Sequence, residues 1–241
     1  ELMFFETSGN AVITVIVGGV GTLVGPVVGS LLLIPSNLPK GTASTIREQL
    51  AVLTHKPLLM VYAKTALGYG GAFTAFTFLA PILQQVSGFS AGAVSLILLV
   101  YGVSVAVGNI WGGKLADKMG PLPALKLMFG GLALILLMLT FTAPHPVLAV
   151  LTVLVWGAFA FGNVPGLQVL VVKQAELHTP KAVDVASGLN IAAFNVGIAL
   201  GSVVGGFVVE HLGLMHTPWI GALIVLLAYG LTHVSERREA L

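Results

Sequence analysis

Long uncharged apolar runs dominate the chain, separated by short stretches where charge, proline and glycine gather. A helix needs about 20 predominantly apolar residues to cross a hydrocarbon core. Runs of that order lie at 10–34, 58–83, 91–111, 125–143, 147–172, 183–209 and 219–234. The connections at 35–57, 84–90, 112–124, the Pro144-His145-Pro146 turn, 173–182 and 210–218 carry the turn-forming residues. This pattern predicts an all-α polytopic membrane protein of about seven transmembrane helices. It divides into a tail and single span at 1–34, a linker at 35–57 and a six-helix bundle at 58–241. In the linker, Ile46, Leu50 and Leu53 recur at helical spacing, which predicts a short amphipathic helix on the membrane surface.

Composition sharpens this reading. Hydrophobic residues make up 56% of the 241 and charged residues only 8%, whereas a soluble domain carries about 25% charge. Soluble-enzyme classes are thereby set aside. The chain has no cysteine, which removes disulfides, thiolate metal sites and cysteine nucleophiles. It also has no Walker-type glycine loop and no His-Glu-x-x-His, so no metal and no cofactor are expected.

The net charge of +2 does not point to nucleic acid, because topology accounts for it. Of the eleven Lys and Arg, ten fall on one side: Lys40, Arg47, Lys56, Lys114, Lys118, Lys126, Lys173, Lys181, Arg237 and Arg238. The positive-inside rule makes that side cytoplasmic, with the N-terminus outside and the C-terminus inside. The chain opens on Glu1 rather than Met, without the basic region of a signal peptide, and is expected to be part of a longer protein.

Polar side chains within the spans are the candidates for function, because hydrocarbon gives them no partner. Lys64 lies about two turns into its span. Its ammonium either snorkels to the interface or faces a cavity as a cation for an anionic group. Asn190 and Asn195 face either a neighbouring helix or a wet cavity. Tyr69, Phe73, Phe76, Asn109, Trp156, Asn163 and Gln168 join them as candidates to line a substrate cavity, with ordinary packing as the alternative for the aromatics. Gly197, Gly201 and Gly205 recur every four residues, a stripe that lets a second helix approach closely. Gly162-Asn163-Val164-Pro165-Gly166 is a candidate hinge. No Asp or Glu lies near the middle of any span, so no residue here shows a proton relay.

The connection at 112–124 holds Gly113-Lys114-Leu115-Ala116-Asp117-Lys118-Met119-Gly120. An Asp there can accept from helix N-terminal amides, and a Lys can meet helix C-terminal carbonyls or lipid phosphate. The pattern resembles motif A of the major facilitator superfamily, in its degenerate second copy between helices eight and nine. In that resemblance Gly113, Asp117, Lys118 and Gly120 form a conformational latch. The usual basic pair that follows is replaced here by Pro121-Leu122-Pro123. Leu67 to Thr74, Ala80-Pro81-Ile82-Leu83 and Gly88-Phe89-Ser90 are similar to helix seven and its outer loop in bacterial drug:proton antiporters and sugar-efflux proteins. Ser187 to Gly197 with Gly205-Gly206 is similar to helix eleven.

The resemblance covers about residues 35–241. It implies the C-terminal half of an inner-membrane efflux transporter, with two inverted three-helix repeats and alternating access driven by proton antiport. Its expected partners are a small-molecule substrate, the lipid bilayer and either an N-terminal six-helix half or a second copy.

The opening stretch reads differently. Residues 4–30, with Gly18-Gly19-Val20-Gly21-Thr22 and Gly25-Pro26, resemble a segment of a branched-chain amino-acid ABC permease. Two further readings therefore stand beside the first: a permease subunit of an ABC importer, and a scaffold or remnant without flux.

Overall fold

The computed structural model describes residues 45–239, with side chains through Arg237. The expected first span, the ABC-like stretch and most of the linker lie outside the described residues. The first element, α1 (Ile46–Ala51), is closed by a capping box: the Thr45 backbone N–H donates to Glu48 Oε2 at 2.8 Å, and the Glu48 N–H donates to Thr45 Oγ1 at 3.3 Å. Ile46 and Leu50 of α1, and Leu53 in the turn that follows it, are exposed.

Six long helical segments follow. The first is α2 (Lys56–Phe76), which starts with proline in its first turn and passes through a short helix at Leu79–Pro81 into a π turn at Ile82–Val86. The irregularity falls at Pro81, which has no N–H to continue the ladder. Then come α3 (Ala91–Met119), α4 (Pro121–Thr142), α5 (Pro146–His178), α6 (Val183–His211) and α7 (Thr217–Glu239). Together they supply six segments long and apolar enough to cross a membrane. The basic end of the bundle holds the start of α2, the α3–α4 and α5–α6 connections and the end of α7.

Several boundaries differ from the sequence reading. The segment 112–124, expected as a loop, is largely helix: α3 runs on through Lys114, Asp117 and Lys118 to Met119. Likewise α5 continues past Lys173 to His178. Charge marks where a helix leaves the hydrocarbon, and hydrogen bonding carries it further into the polar zone. α3 stops only at Gly120, which takes φ +87°, a conformation that suits glycine, and Pro121 opens α4 directly. The candidate hinge at 162–166 is not a break either, since α5 runs unbroken through Pro165.

The packing follows two repeats. α3 packs mainly on α5 and α2 on α6, while α7 packs on both α2 and α4, and α4 on α5. Exchanging α2 with α5, α3 with α6 and α4 with α7 leaves this pattern unchanged, although paired helices run in opposite directions. That is an inverted-repeat bundle.

Small residues set the two closest pairs. A Cβ added at Gly112 would lie 1.8 Å from the Gly162 carbonyl oxygen, and one at Gly201 would lie 2.2 Å from that of Gly70. The Gly197, Gly201 and Gly205 stripe thus seats α6 on Ala66, Gly70 and Thr74 of α2. Without a hydrophobic drive between helices in lipid, such close backbone approach supplies the packing.

Candidate functional site

Aromatic rings from four helices form a continuous column inside the bundle. Phe76 of α2 meets Tyr101 of α3 at 5.2 Å between centroids and Trp156 of α5 edge-on at 5.9 Å. Phe73 touches Phe76 at 5.2 Å and Tyr69 at 6.5 Å. Tyr69 in turn meets Phe161 of α5 at 5.9 Å and Phe194 of α6 at 3.5 Å. Tyr69 and Trp156 are fully buried. Among the described residues, the Tyr69 hydroxyl, the Trp156 indole N–H and the Asn163 carbonyl oxygen are buried without a hydrogen-bond partner. Buried polar atoms are normally paired; the Tyr62 hydroxyl and His233 Nδ1 are also without a partner, and of these five atoms those of Tyr69 and Trp156 lie in the column.

Toward the basic end the column gives way to a polar network. The Thr65 hydroxyl donates to Asn190 Oδ1 at 2.6 Å, and the Asn190 amide donates to Gln168 Oε1 at 3.4 Å. The Gln168 amide donates to the Ser187 hydroxyl. Thr65, Leu167, Gln168, Asn190, Ile191 and Phe194 help line a hollow of about 240 Å³ between α2, α5 and α6. Asn190 therefore does both things its sequence position left open, bonding across helices and lining a cavity.

The structure gathers Tyr69, Phe73, Phe76 and Trp156 in the column and Gln168 and Asn190 in the network. Asn163 is buried on α5, with its amide donating to the Ala160 carbonyl at 2.9 Å. Asn109 and Asn195 are not brought in. Asn109 donates to its own helix at Val105 O, 3.1 Å away, and Asn195 is exposed and donates to Ile191 O at 3.0 Å. Each amide satisfies itself on the preceding turn of its own helix.

Sequence reading missed Thr65, Tyr101, Phe161, Ser187 and Phe194. Tyr101 and Phe194 each stand inside a span, but nothing in a single sequence says which helix face turns inward.

Lys64 is 2% exposed, so its stem does not carry the ammonium to open solvent. It lines a separate hollow at the basic end.

Asp117 and Lys118 sit exposed on the last turn of α3, and Gly113 lies against Pro165 of α5. Among the described residues the Asp117 side chain makes no hydrogen bond or ion pair.

Near the same end, Glu48 of α1 accepts from Lys181 Nζ at 2.9 Å. That bond, with the Thr45 contacts, holds the Glu48 carboxyl down at about 2. The His55 and His178 rings approach to 5.8 Å nearby.

Six apolar helices in two inverted triplets, with an aromatic and amide-lined interior shared by α2, α3, α5 and α6, define a multi-pass membrane protein of the secondary-transporter class. The family model of the Major Facilitator Superfamily matches residues 5–179, and the chain belongs to that family. The match begins inside the stretch that resembles an ABC permease, which the comparisons do not favour.

Among relatives, the uncharacterized MFS-type transporter YtbD of Bacillus subtilis is 53% identical over 208 residues, 86% of this chain and 52% of that protein. The inner membrane transport protein YdhP of Escherichia coli K12 is 36% identical over 84% of this chain and 52% of its own length. A probable sugar efflux transporter of Helicobacter pylori is 31% identical over 88% of this chain and 52% of its own length. The chain spans about half the length of the curated relatives it matches.

Proposed function

We propose that this chain supplies the C-terminal half of a secondary transporter that exports small molecules by alternating access. The observation that carries this reading is the aromatic column drawn from α2, α3, α5 and α6, in which the Tyr69 hydroxyl and the Trp156 indole N–H have no hydrogen-bond partner among the described residues. Aromatic faces with a few polar anchors suit uncharged or weakly polar ligands such as sugars and amphiphilic drugs. The family relatives named for sugar efflux support the same class. The 240 Å³ hollow is smaller than the roughly 300–1,000 Å³ of small-molecule pockets, which suits one wall of a site completed by a second six-helix half.

In this reading substrate binds near the midplane against Tyr69, Trp156 and the Thr65–Asn190–Gln168 network. The two halves then rock about it, with Asp117 and Lys118 latching the closed state. The Lys and Arg distribution supports a cytoplasmic basic end and C-terminus. Proton antiport fits the family resemblance. Among the described residues no carboxylate lies mid-span, so the coupling acids belong to the other half.

The test is export of a panel of neutral sugars and amphiphilic drugs from cells producing the protein at its natural length. Trp156→Ala and Asn190→Ala are expected to reduce export of at least one panel member at unchanged membrane abundance. Export indistinguishable from empty cells across the panel would count against the reading.

A further inference from the structure

The side-chain bonds around the 240 Å³ hollow run in one direction. The Thr65 hydroxyl donates to Asn190 Oδ1 at 2.6 Å, the Asn190 amide donates to Gln168 Oε1 at 3.4 Å, and the Gln168 amide donates to the Ser187 hydroxyl. A primary amide carries two N–H donors and two oxygen lone pairs. Among the described residues, Asn190 and Gln168 each donate once and accept once, so each keeps one N–H and one lone pair unused. These two amides and the Thr65 hydroxyl are the polar lining of the hollow, and its other lining residues, Phe194 and Ile191 among them, are apolar. Among the described residues no ionisable side chain lines it.

Resting on the transport reading above, we propose that this hollow recognises two adjacent hydroxyls of an uncharged ring, the chemistry of a sugar. A hydroxyl both donates and accepts. One hydroxyl therefore accepts the spare N–H of one amide while donating to the spare lone pair of the other, and its neighbour makes the reverse pairing. Asn190 Nδ2 and Gln168 Oε1, 3.4 Å apart, set a donor beside an acceptor at close to the spacing that hydroxyl oxygens on neighbouring carbons present. Phe194, packed against Tyr69 at 3.5 Å, offers apolar surface to the C–H face of the ring. The volume equals that of about eight liquid waters, enough for one six-membered ring with its hydroxyls. A charged ligand would leave water and meet no opposite charge on this wall, and a ligand without hydroxyls would leave the spare amide groups unmet.

The test uses the protein at its natural length, purified in nonionic detergent. Its thermal unfolding is followed during titration with D-glucose, D-galactose, D-mannose and the cis and trans isomers of 1,2-cyclohexanediol. Controls are 1,4-cyclohexanediol, whose hydroxyls are not adjacent, and cyclohexanol, which has one. At least one compound with adjacent hydroxyls is expected to stabilise the protein at a concentration about tenfold below that needed for either control.

Gln168→Met and Asn190→Leu are each expected to raise the concentration for half the effect by about tenfold or more and to erase the preference for adjacent hydroxyls. Should Asn190→Leu fail to fold, Gln168→Met, at a half-buried position, decides alone. No stabilisation by any of these diols, an equal response to the 1,2- and 1,4-diols, or an unchanged response in Gln168→Met overturns the proposal. Export of amphiphilic drugs without any response to adjacent hydroxyls overturns it and leaves the transport reading standing, whereas the full response without export of any compound does the reverse.

Discussion

The Thr65 hydroxyl donates to the Asn190 side-chain oxygen at 2.6 Å in a buried contact that ties α2 to α6. The same asparagine reaches Gln168 of α5 through its amide, so one side chain joins three helices. Interhelical hydrogen bonds in membranes contribute about 0.6–2 kcal/mol. A double-mutant cycle of Thr65→Val and Asn190→Leu, read by unfolding in detergent, should return a coupling in that range. A coupling indistinguishable from zero would show that the contact does not hold the helices together.

Tyr69→Phe separates stability from transport. The Tyr69 hydroxyl is buried without a hydrogen-bond partner among the described residues, so removing it relieves a desolvated group. The unfolding temperature should stay level or rise, by the equivalent of up to about 1–3 kcal/mol. Export should fall if the hydroxyl anchors substrate, and unchanged export of every transported compound would remove Tyr69 from the binding surface.

Glycine substitutions should split by position. At Gly112 an added Cβ would press on the Gly162 carbonyl of α5, whereas at Gly92 it would meet nothing within 4 Å. Gly112→Ala should destabilise by about 1–3 kcal/mol through forced backbone shifts. Gly92→Ala should be neutral or stabilising by up to about 1 kcal/mol through helix propensity. Parallel thermal unfolding of the two variants checks the sign.

The Glu48–Lys181 ion pair makes the attachment of α1 depend on pH at the acid edge. Hydrogen bonds from Lys181 and Thr45 lower the Glu48 carboxyl from 4.5 to about 2. A carboxyl depressed on folding contributes above its ordinary value, and the contribution fades as pH falls through the folded value. Lys181 is raised by its hydrogen bond to Glu48, so its share is complete at neutral pH and is lost only at strongly alkaline pH. Protection of residues 45–54 from proteolysis should therefore be flat near neutrality and decline between about pH 4.5 and 2. Glu48→Gln should remove that decline; an identical acid profile in the variant would exclude the pair as its cause.

Asp117→Asn should leave stability within about 0.5 kcal/mol of wild type, because the side chain is exposed and makes no bond among the described residues. Export by the protein at its natural length should nevertheless fall if Asp117 latches the two halves. Full export with normal abundance would remove the latch role.

The hydrophobic pattern alone determined the all-helical class, the six described spans and the close seating promised by Gly197, Gly201 and Gly205. Each is a local matter: span length reflects bilayer thickness, and helical periodicity reflects 3.6 residues per turn. The same locality explains the displaced helix boundary at 112–124. Charge reports where the bilayer ends, whereas the end of α3 waits for Gly120, and α5 carries Pro165 without a break.

Only the tertiary structure decided which polar residues share a site. Asn190 and Asn195 are equally conspicuous in the sequence, yet they lie five positions apart, close to one and a half turns, and so face opposite sides of α6. One meets Thr65 and Gln168 and the other folds onto its own backbone. The inward faces of α2, α3, α5 and α6 are set by how the two inverted repeats pair, a relation among residues such as Phe76, Tyr101 and Trp156 that are distant in sequence. That is why the column became legible only once those helices were packed.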